Sequence, residues 1–157
     1  MPSPVTIITD DHKRITELFT TYQTLSDVLV EEKEAISQKI LKELTVHTKM
    51  EENLFYPKLK EILPVEKIKL VEEAIAEHHA AKMLILELKA MNVELAQFDP
   101  RLKVLQENVI SHIKEEEAIL LPLALESLTP IQLERLGEDM MDYKKDEDKS
   151  LLEKLLS

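Results

Sequence analysis

Apolar side chains recur every three or four residues along most of the chain, which is the spacing of one face of an α-helix. Such stripes cover residues 5–22, 36–54 and 71–85. A fourth begins at Asp99-Pro100, where a capping residue followed by proline is typical of a helix start. The pattern predicts four long helices joined by short connections.

Four consecutive long helices with short connections favour an antiparallel up-down four-helix bundle, so the predicted fold class is all-α. An additional C-terminal helix follows Thr129-Pro130, with a shorter apolar stripe and a charged remainder. We therefore divide the chain into a bundle over residues 1–128 and a C-terminal helix over residues 129–157. This helix is expected to pack on the bundle or at a dimer interface, so the protein is expected to be a monomer or a homodimer.

Histidines interrupt the apolar stripes at inward-facing positions, one on each predicted helix: His12, His47, His78 and His112. Glu51 and Glu116 lie four residues after two of them and so share their helix faces. A buried carboxylate costs several kcal/mol unless it is paired or bound to a cation. At about 1.5 Å per residue, the histidines of antiparallel neighbours reach similar depths in the bundle.

The second and fourth helices carry one motif twice, His-x-x-x-Glu-Glu followed by a proline. Residues 47, 51, 52 and 57 recur 65 positions later as residues 112, 116, 117 and 122. Asp11-His12 recurs 66 positions later as Glu77-His78. The repeated unit is thus a helix pair, and Pro57 and Pro122 are expected to kink or end their helices. Two such pairs turned toward each other would form a metal cage.

The candidate ligands are four imidazoles and two carboxylates, a set that suits iron, manganese or zinc. They exceed the four ligands of one tetrahedral zinc ion, which favours a two-metal site. If both glutamates bridge two six-coordinate ions that also share an oxygen, two coordination positions remain open. O2, peroxide or NO would bind at these positions.

Other polar residues near the cage have roles that the sequence leaves open. Glu52 and Glu117 are either solvated surface groups or carboxylates that orient the histidines. His79 points about 100° away from His78 and is expected outside the ligand set. Lys82 either extends to solvent or pairs with a carboxylate beside the open positions.

Composition narrows the class of function. The net charge of −11 argues against nucleic-acid and anionic-membrane partners, which require basic patches. The absence of cysteine excludes thiolate metal sites, Fe–S clusters and disulfides. No apolar run reaches the roughly 18–20 residues of a membrane span, and the N-terminal residues do not resemble a signal peptide. We therefore expect a cytoplasmic protein.

Taken together, the motifs resemble the bacterial type of hemerythrin-like (HHE cation-binding) domain over about residues 3–126. The resemblance is carried by Asp11-His12-x-x-Ile15, the two His-x-x-x-Glu-Glu blocks and Glu77-His78-x-x-Ala81-Lys82. It implies a four-helix bundle around two iron ions, non-haem and joined by carboxylate and oxo bridges, with zinc or manganese as alternative metals. The positions that match family ligands are His12, His47, Glu51, His78 and His112, to which the HHE pattern adds Glu116.

The chain departs from the oxygen-carrying members of that family at two positions. They have a second histidine four residues after the third-helix histidine, where this chain has Lys82, and their last carboxylate corresponds to Glu117. These departures favour a centre that reacts with O2, peroxide or NO, including a catalase-like or peroxidase-like peroxide-detoxifying activity. The alternative is a protein that binds O2 or NO reversibly, or stores or senses iron, without turnover.

Two other interpretations are weaker. Ferritin-like di-iron proteins carry Glu-x-x-His on facing helices, and no glutamate lies three residues before any histidine here. A metal that only staples the bundle is also disfavoured, because an aliphatic core of this size does not need a staple.

Overall fold

The computed structural model describes residues 2–156, with every side chain in that range except that of Leu151. The helices are α1 (Pro4–Thr24), α2 (Val30–Met50), α3 (Tyr56–Ile62), α4 (Val65–Lys89), α5 (Phe98–Glu115), α6 (Leu121–Ser127) and α7 (Pro130–Leu156). Two π-helical turns, Glu51–Phe55 and Glu116–Leu120, join α2 to α3 and α5 to α6. The described residues contain no strand, and the predicted all-α bundle with an additional C-terminal helix is confirmed.

Helix starts follow the sequence signals in one case and depart from them in another. The hydroxyl of Ser3 accepts a hydrogen bond from the backbone N–H of Val5 and caps α1. The prediction that Asp99 caps the fourth helix was wrong, because α5 begins at Phe98. The carboxylate of Asp99 instead accepts hydrogen bonds from Tyr22 and Lys33.

A polar layer crosses the bundle between two apolar clusters. Along each of the four bundle helices, residues of one cluster precede the inward histidine and residues of the other follow it. Ile8 and Met50 represent the first cluster, and Phe19 and Leu105 the second; all four are fully buried. Each large apolar side chain buried in this way contributes about 1.5–3 kcal/mol, which offsets the cost of a polar layer.

The two π-helical turns explain what the repeated prolines do. Each turn is closed by a hydrogen bond that spans five residues, from the N–H of Tyr56 to the C=O of Glu51 and from the N–H of Leu121 to the C=O of Glu116. The proline that follows each turn has no N–H, and the wide turn accommodates it without ending the helical segment. The second helix therefore continues through the turn to Ile62.

Helix α7 covers only one half of the bundle, where it packs on α1, α2 and the first π-helical turn. Its Leu136 and Met140 enter the first apolar cluster, and its Tyr143 accepts a hydrogen bond of 3.0 Å from Asn53. Lys144 pairs with the buried Asp11 of α1. A role of α7 between two protomers stays a prediction. Within residues 2–156, the structure contains no helix with the length and apolar character of a membrane span.

Candidate metal centre

Six side chains converge in the polar layer, and they are the six that the sequence predicts as ligands. One ligand atom from each of four residues lies within 4.8 Å of the others in two groups: His12, His47, Glu51 and Glu116, and then Glu51, His78, His112 and Glu116. Both glutamates belong to both groups. The structure therefore places Glu51 and Glu116 where carboxylates would bridge two neighbouring cations.

Several atoms of this cluster are buried without a hydrogen-bond partner, among them Nε2 of His12 and His47, Oε2 of Glu51 and Oε1 of Glu116. They are nevertheless crowded: Nε2 of His47 lies 3.0 Å from Oε1 of Glu51, and Nε2 of His12 lies 3.2 Å from Oε1 of Glu116. A buried polar atom without a partner costs about 1–3 kcal/mol. A cation between these atoms would satisfy their lone pairs, so the donor set fits a metal site.

Each of the four histidines has a carboxylate on the side of its ring that faces away from the cluster. The distances from Nδ1 are 2.8 Å for His12 to Glu117, 2.8 Å for His47 to Asp11, 2.7 Å for His112 to Glu77 and 3.8 Å for His78 to Glu52. An Nδ1–H that donates to a carboxylate leaves Nε2 free to bind a metal. For Glu117, the structure therefore favours the orienting role over the solvated one, whereas Glu52 lies beyond hydrogen-bond distance of His78.

The sequence did not identify Asp11 and Glu77 as part of the site. Each precedes an inward histidine directly but bonds to the histidine of the neighbouring helix, Asp11 to His47 and Glu77 to His112. The available signal was an acidic residue before the histidine in both copies of the repeat.

Tyr56 is a second site residue that the sequence did not identify. Its hydroxyl donates a hydrogen bond of 2.6 Å to Oε2 of Glu116 and lies 3.1 Å from Nε2 of His78 and 3.3 Å from Nε2 of His112. In a regular α-helix, Tyr56 would point about 140° away from Glu51. The π-helical turn removes most of this rotation and brings the phenol into the centre.

Lys82 and His79, whose roles the sequence left undecided, lie in different surroundings. Lys82 donates a hydrogen bond of 2.7 Å to Oε1 of Glu52, whose other oxygen faces His78. Lys82 thus holds the carboxylate behind one histidine. His79 is exposed and belongs to neither group.

The carboxylates of the polar layer raise the pKa of two of the inward histidines. Burial alone would lower the pKa of His47, but the charge of Glu51 and the hydrogen bond to Asp11 raise it to about 10. Against burial, Glu116 chiefly raises the pKa of His112 to about 9. The carboxylates of the polar layer therefore stabilise positive charge on the groups that they contact.

The pKa values of two neighbouring groups, Asp11 and Tyr56, are shifted as well. Burial would raise the pKa of Asp11, but the hydrogen bonds to His47 and Lys144 lower it to about 2. Burial and the negative charges of Glu51 and Glu116 raise the pKa of Tyr56, so its phenol stays protonated. Asp11 is therefore a charged carboxylate behind His47, and Tyr56 contributes a protonated hydroxyl within the centre.

A small cavity of about 30 Å³ lies beside the four histidine rings. Its apolar walls include Ile15 and Leu44 from the first half and their counterparts in the repeat, Ala81 and Val109. The counterparts are smaller than Ile15 and Leu44. One water molecule needs about 10–15 Å³ on this measure, so the cavity admits a ligand of only a few atoms.

Solved structures include a similar molecule. A hemerythrin HHE cation-binding domain-containing protein from Mycobacterium kansasii superimposes with a TM-score of 0.84 at 26% sequence identity, covering 100% of this chain and 94% of that one. The likeness extends over the bundle and α7 alike.

Curated relatives are longer proteins. A DNA nickase from Nostoc sp. is 26% identical over 129 residues, which cover 82% of this chain and 35% of that protein. An uncharacterized hemerythrin-like protein from Schizosaccharomyces pombe is 33% identical over 75 residues, covering 48% of this chain and 37% of that protein. The aligned region thus spans little more than a third of either relative.

The sequence model of the hemerythrin HHE cation-binding domain matches residues 3–124, which contain all six converging side chains. With most of its length matched in this way, the chain belongs to the hemerythrin HHE cation-binding domain family.

Proposed function

We propose that this chain is a non-haem di-iron protein whose centre consumes peroxide in a catalase-like reaction. The observation that carries the proposal is the sharing of Glu51 and Glu116 between two groups of ligand atoms. Two histidines for each position and two shared carboxylates form a ligand set that suits a pair of iron ions and leaves coordination positions free. Such a pair supplies electrons and Lewis acidity to a small ligand bound beside it.

The reaction balances without an outside reductant. One peroxide molecule is oxidised to O2 and releases two electrons and two protons, and a second molecule takes them up and becomes two water molecules. Iron ions held by the six ligands would pass these electrons, and groups of the protein would accept and return the protons.

The cavity supports a substrate of this size. Its volume of about 30 Å³ suits O2, NO or hydrogen peroxide and excludes organic peroxides with a bulky substituent. Aliphatic side chains form part of its walls, and the polar groups that line it are those of the centre together with Thr48 and Asn108.

Tyr56 favours turnover over reversible binding. Its hydroxyl lies within 3.3 Å of Nε2 of His78 and of His112 and is bonded to Glu116, so it is placed to hold and transfer a proton at the centre. Transfer by such a positioned group contributes about 10²–10⁴-fold to a rate.

The alternative is a protein that binds O2 or NO reversibly, or stores or senses iron, with the same ligands. DNA cleavage is not inferred from the relative in Nostoc, because the aligned region covers 35% of that protein and the net charge of this chain is −11. A cytoplasmic location is also part of the proposal.

The test uses purified protein loaded with iron, and the same protein loaded with zinc as the control that keeps the fold but lacks redox chemistry. Oxygen evolution from hydrogen peroxide is followed with an oxygen electrode. The proposal predicts one O2 for every two peroxide molecules consumed by the iron form over many turnovers, and none by the zinc form. A stable O2 or NO adduct without oxygen evolution would instead support the reversible binder.

A further inference from the structure

A second cavity, of about 40 Å³, opens at the surface of the second half of the bundle. Exposed Glu73 and Glu115 and half-buried Glu77 line it, together with His112 and Glu116 of the centre. We call this space the acidic cleft. It joins the solvent to one of the two groups of ligand atoms.

Two candidate ligands, His112 and Glu116, line the acidic cleft beside the apolar side chains of Leu70, Ala74, Ile119 and Leu120. Glu116 is 1% exposed, and its Oε1 has no hydrogen-bond partner. The side chain of His112 is 11% exposed, whereas those of the other three inward histidines are 3–5% exposed. The centre is therefore most accessible from this side.

The internal repeat supplies a matched comparison within the same molecule. Glu73 and Glu115 correspond to Ile7 and Met50 of the first half, and Glu77 corresponds to Asp11. Ile7 is 6% exposed and Met50 fully buried.

In the first half, α7 fills the equivalent groove. Its Leu136 and Met140 pack in the same cluster as Ile7 and Met50, and its Lys144 pairs with Asp11. The two halves thus differ systematically: one groove is apolar and covered, and the other is acidic and open.

We propose that the acidic cleft is the route by which divalent metal ions reach the centre, with Glu73 and Glu115 capturing the ion before the buried ligands take it. This inference rests on the proposed metal centre. Carboxylate oxygens bind divalent cations readily and exchange them, as a transfer site requires. A cleft lined by one sign of charge raises the arrival rate of the opposite charge by about 10–10³-fold.

The test measures metal uptake rather than catalysis. Metal-free protein is mixed with Co2+ in a stopped-flow instrument, and the absorption of bound Co2+ is followed at low and at high ionic strength. Three proteins are compared: wild type, the double variant E73Q/E115Q, and the control E66Q/E107Q. The control removes two exposed glutamates from the same helices, outside the cleft, and so changes the net charge equally.

At low ionic strength, the uptake rate of E73Q/E115Q is expected to fall at least about tenfold, while the control stays within about twofold of wild type. High salt should remove most of the difference, because it screens the cleft. The amount of Co2+ bound at equilibrium should be the same in all three proteins.

Equal rates in the two double variants would overturn the route and leave the centre itself in place. Loss of bound Co2+ at equilibrium in E73Q/E115Q would also overturn it, since the glutamates would then be ligands or structural groups. No Co2+ uptake by wild type would contradict the metal centre as well, so the two failures are distinguishable.

Discussion

Tyr56 and Leu121 occupy equivalent positions in the two halves of the repeat, yet only Tyr56 brings a hydroxyl to the centre. Both follow a π-helical turn and both are buried. The phenol of Tyr56 bonds to Glu116 and approaches His78 and His112, so it serves the second group of ligand atoms. The two groups of ligand atoms therefore differ in their protic surroundings although their residue types match.

Replacing Tyr56 with phenylalanine removes this hydroxyl and keeps the ring. Because no ligand is lost, the variant should bind the same amount of iron, and oxygen evolution from peroxide should fall about 100-fold. Iron content and initial rates on one preparation provide the measurement. Tyr22→Phe, whose hydroxyl bonds to Asp99 far from the centre, is the control and should keep its rate. Unchanged turnover in Tyr56→Phe would refute the proton-transfer role.

Replacing Glu51 with alanine takes one carboxylate from both groups at once. The iron content should fall well below two per chain, and Glu116→Ala should do the same. Metal analysis after equilibration with iron tests this. Glu107→Ala is the control that removes an exposed carboxylate of α5 outside both groups and should retain two irons. Full iron content in Glu51→Ala would rule out the bridging assignment.

Asp11 and Glu77 hold His47 and His112 from behind, at 2.8 Å and 2.7 Å. Asp11→Asn or Glu77→Gln should weaken metal affinity about 10–100-fold, because the ring loses its orientation and basicity. Competition with a coloured chelator measures this affinity. The exposed Asp10→Asn should match wild type. Affinity as high in Asp11→Asn as in Asp10→Asn would show that the hydrogen bond has no such effect.

Metal binding should release protons. In the metal-free protein, the pKa values of His47 and His112 are raised to about 10 and about 9, so both rings are protonated at neutral pH. Ligation requires neutral rings, so at pH 7 filling the centre should release at least these two protons, which a titration in weak buffer can count. Metal uptake without proton release would contradict these raised values.

The raised pKa values of His47 and His112 make the stability of the metal-free protein depend on pH. A histidine whose pKa is raised on folding stabilises the fold fully below about pH 6.5, its unfolded value, and this stabilisation is lost as pH rises through the folded value. The melting temperature of the metal-free protein should therefore fall between about pH 6.5 and pH 10. The metal-loaded protein, in which both rings are already neutral, should lack this decline.

Lys33 of α2 joins the connection after α1 to the first turn of α5, at the end of the bundle beyond the second apolar cluster. It is 6% exposed and donates to Asp27 at 3.0 Å and to Asp99 at 2.9 Å. Lys33→Met should lower the free energy of unfolding by about 1.5–3 kcal/mol, the range for hydrogen bonds to charged groups, and leave the iron content intact. Urea unfolding compares this variant with Lys39→Met, which replaces an exposed lysine of the same helix. Equal stability of the two variants would exclude a stabilising role for the hydrogen bonds of Lys33.

Sequence reasoning found the six converging residues because the four histidines fall on regular α-helical faces, the two glutamates begin the π-helical turns directly after them, and the repeat marks each His–Glu pair twice. It missed Tyr56 because α-helical spacing does not hold through a π-helical turn. It missed Asp11 and Glu77 because their partners lie on neighbouring helices, where spacing along one helix carries no information.

The difference between the two halves could also not be predicted from the sequence. The repeat makes the halves appear equivalent, and only packing shows that α7 covers Ile7 and Met50 and leaves Glu73 and Glu115 open. Asp99 illustrates a related limit. Its position before a proline is typical of a cap, but the tertiary partners Tyr22 and Lys33 decide where its carboxylate binds.

The most direct test of the central claim is the metal content of the purified, iron-loaded protein, combined with X-ray absorption at the iron edge. The account predicts two irons per chain, nitrogen and oxygen ligands without sulfur, and a second iron in the scattering shell of the first. One zinc per chain, or iron without a neighbouring iron, would contradict a di-iron centre bridged by Glu51 and Glu116.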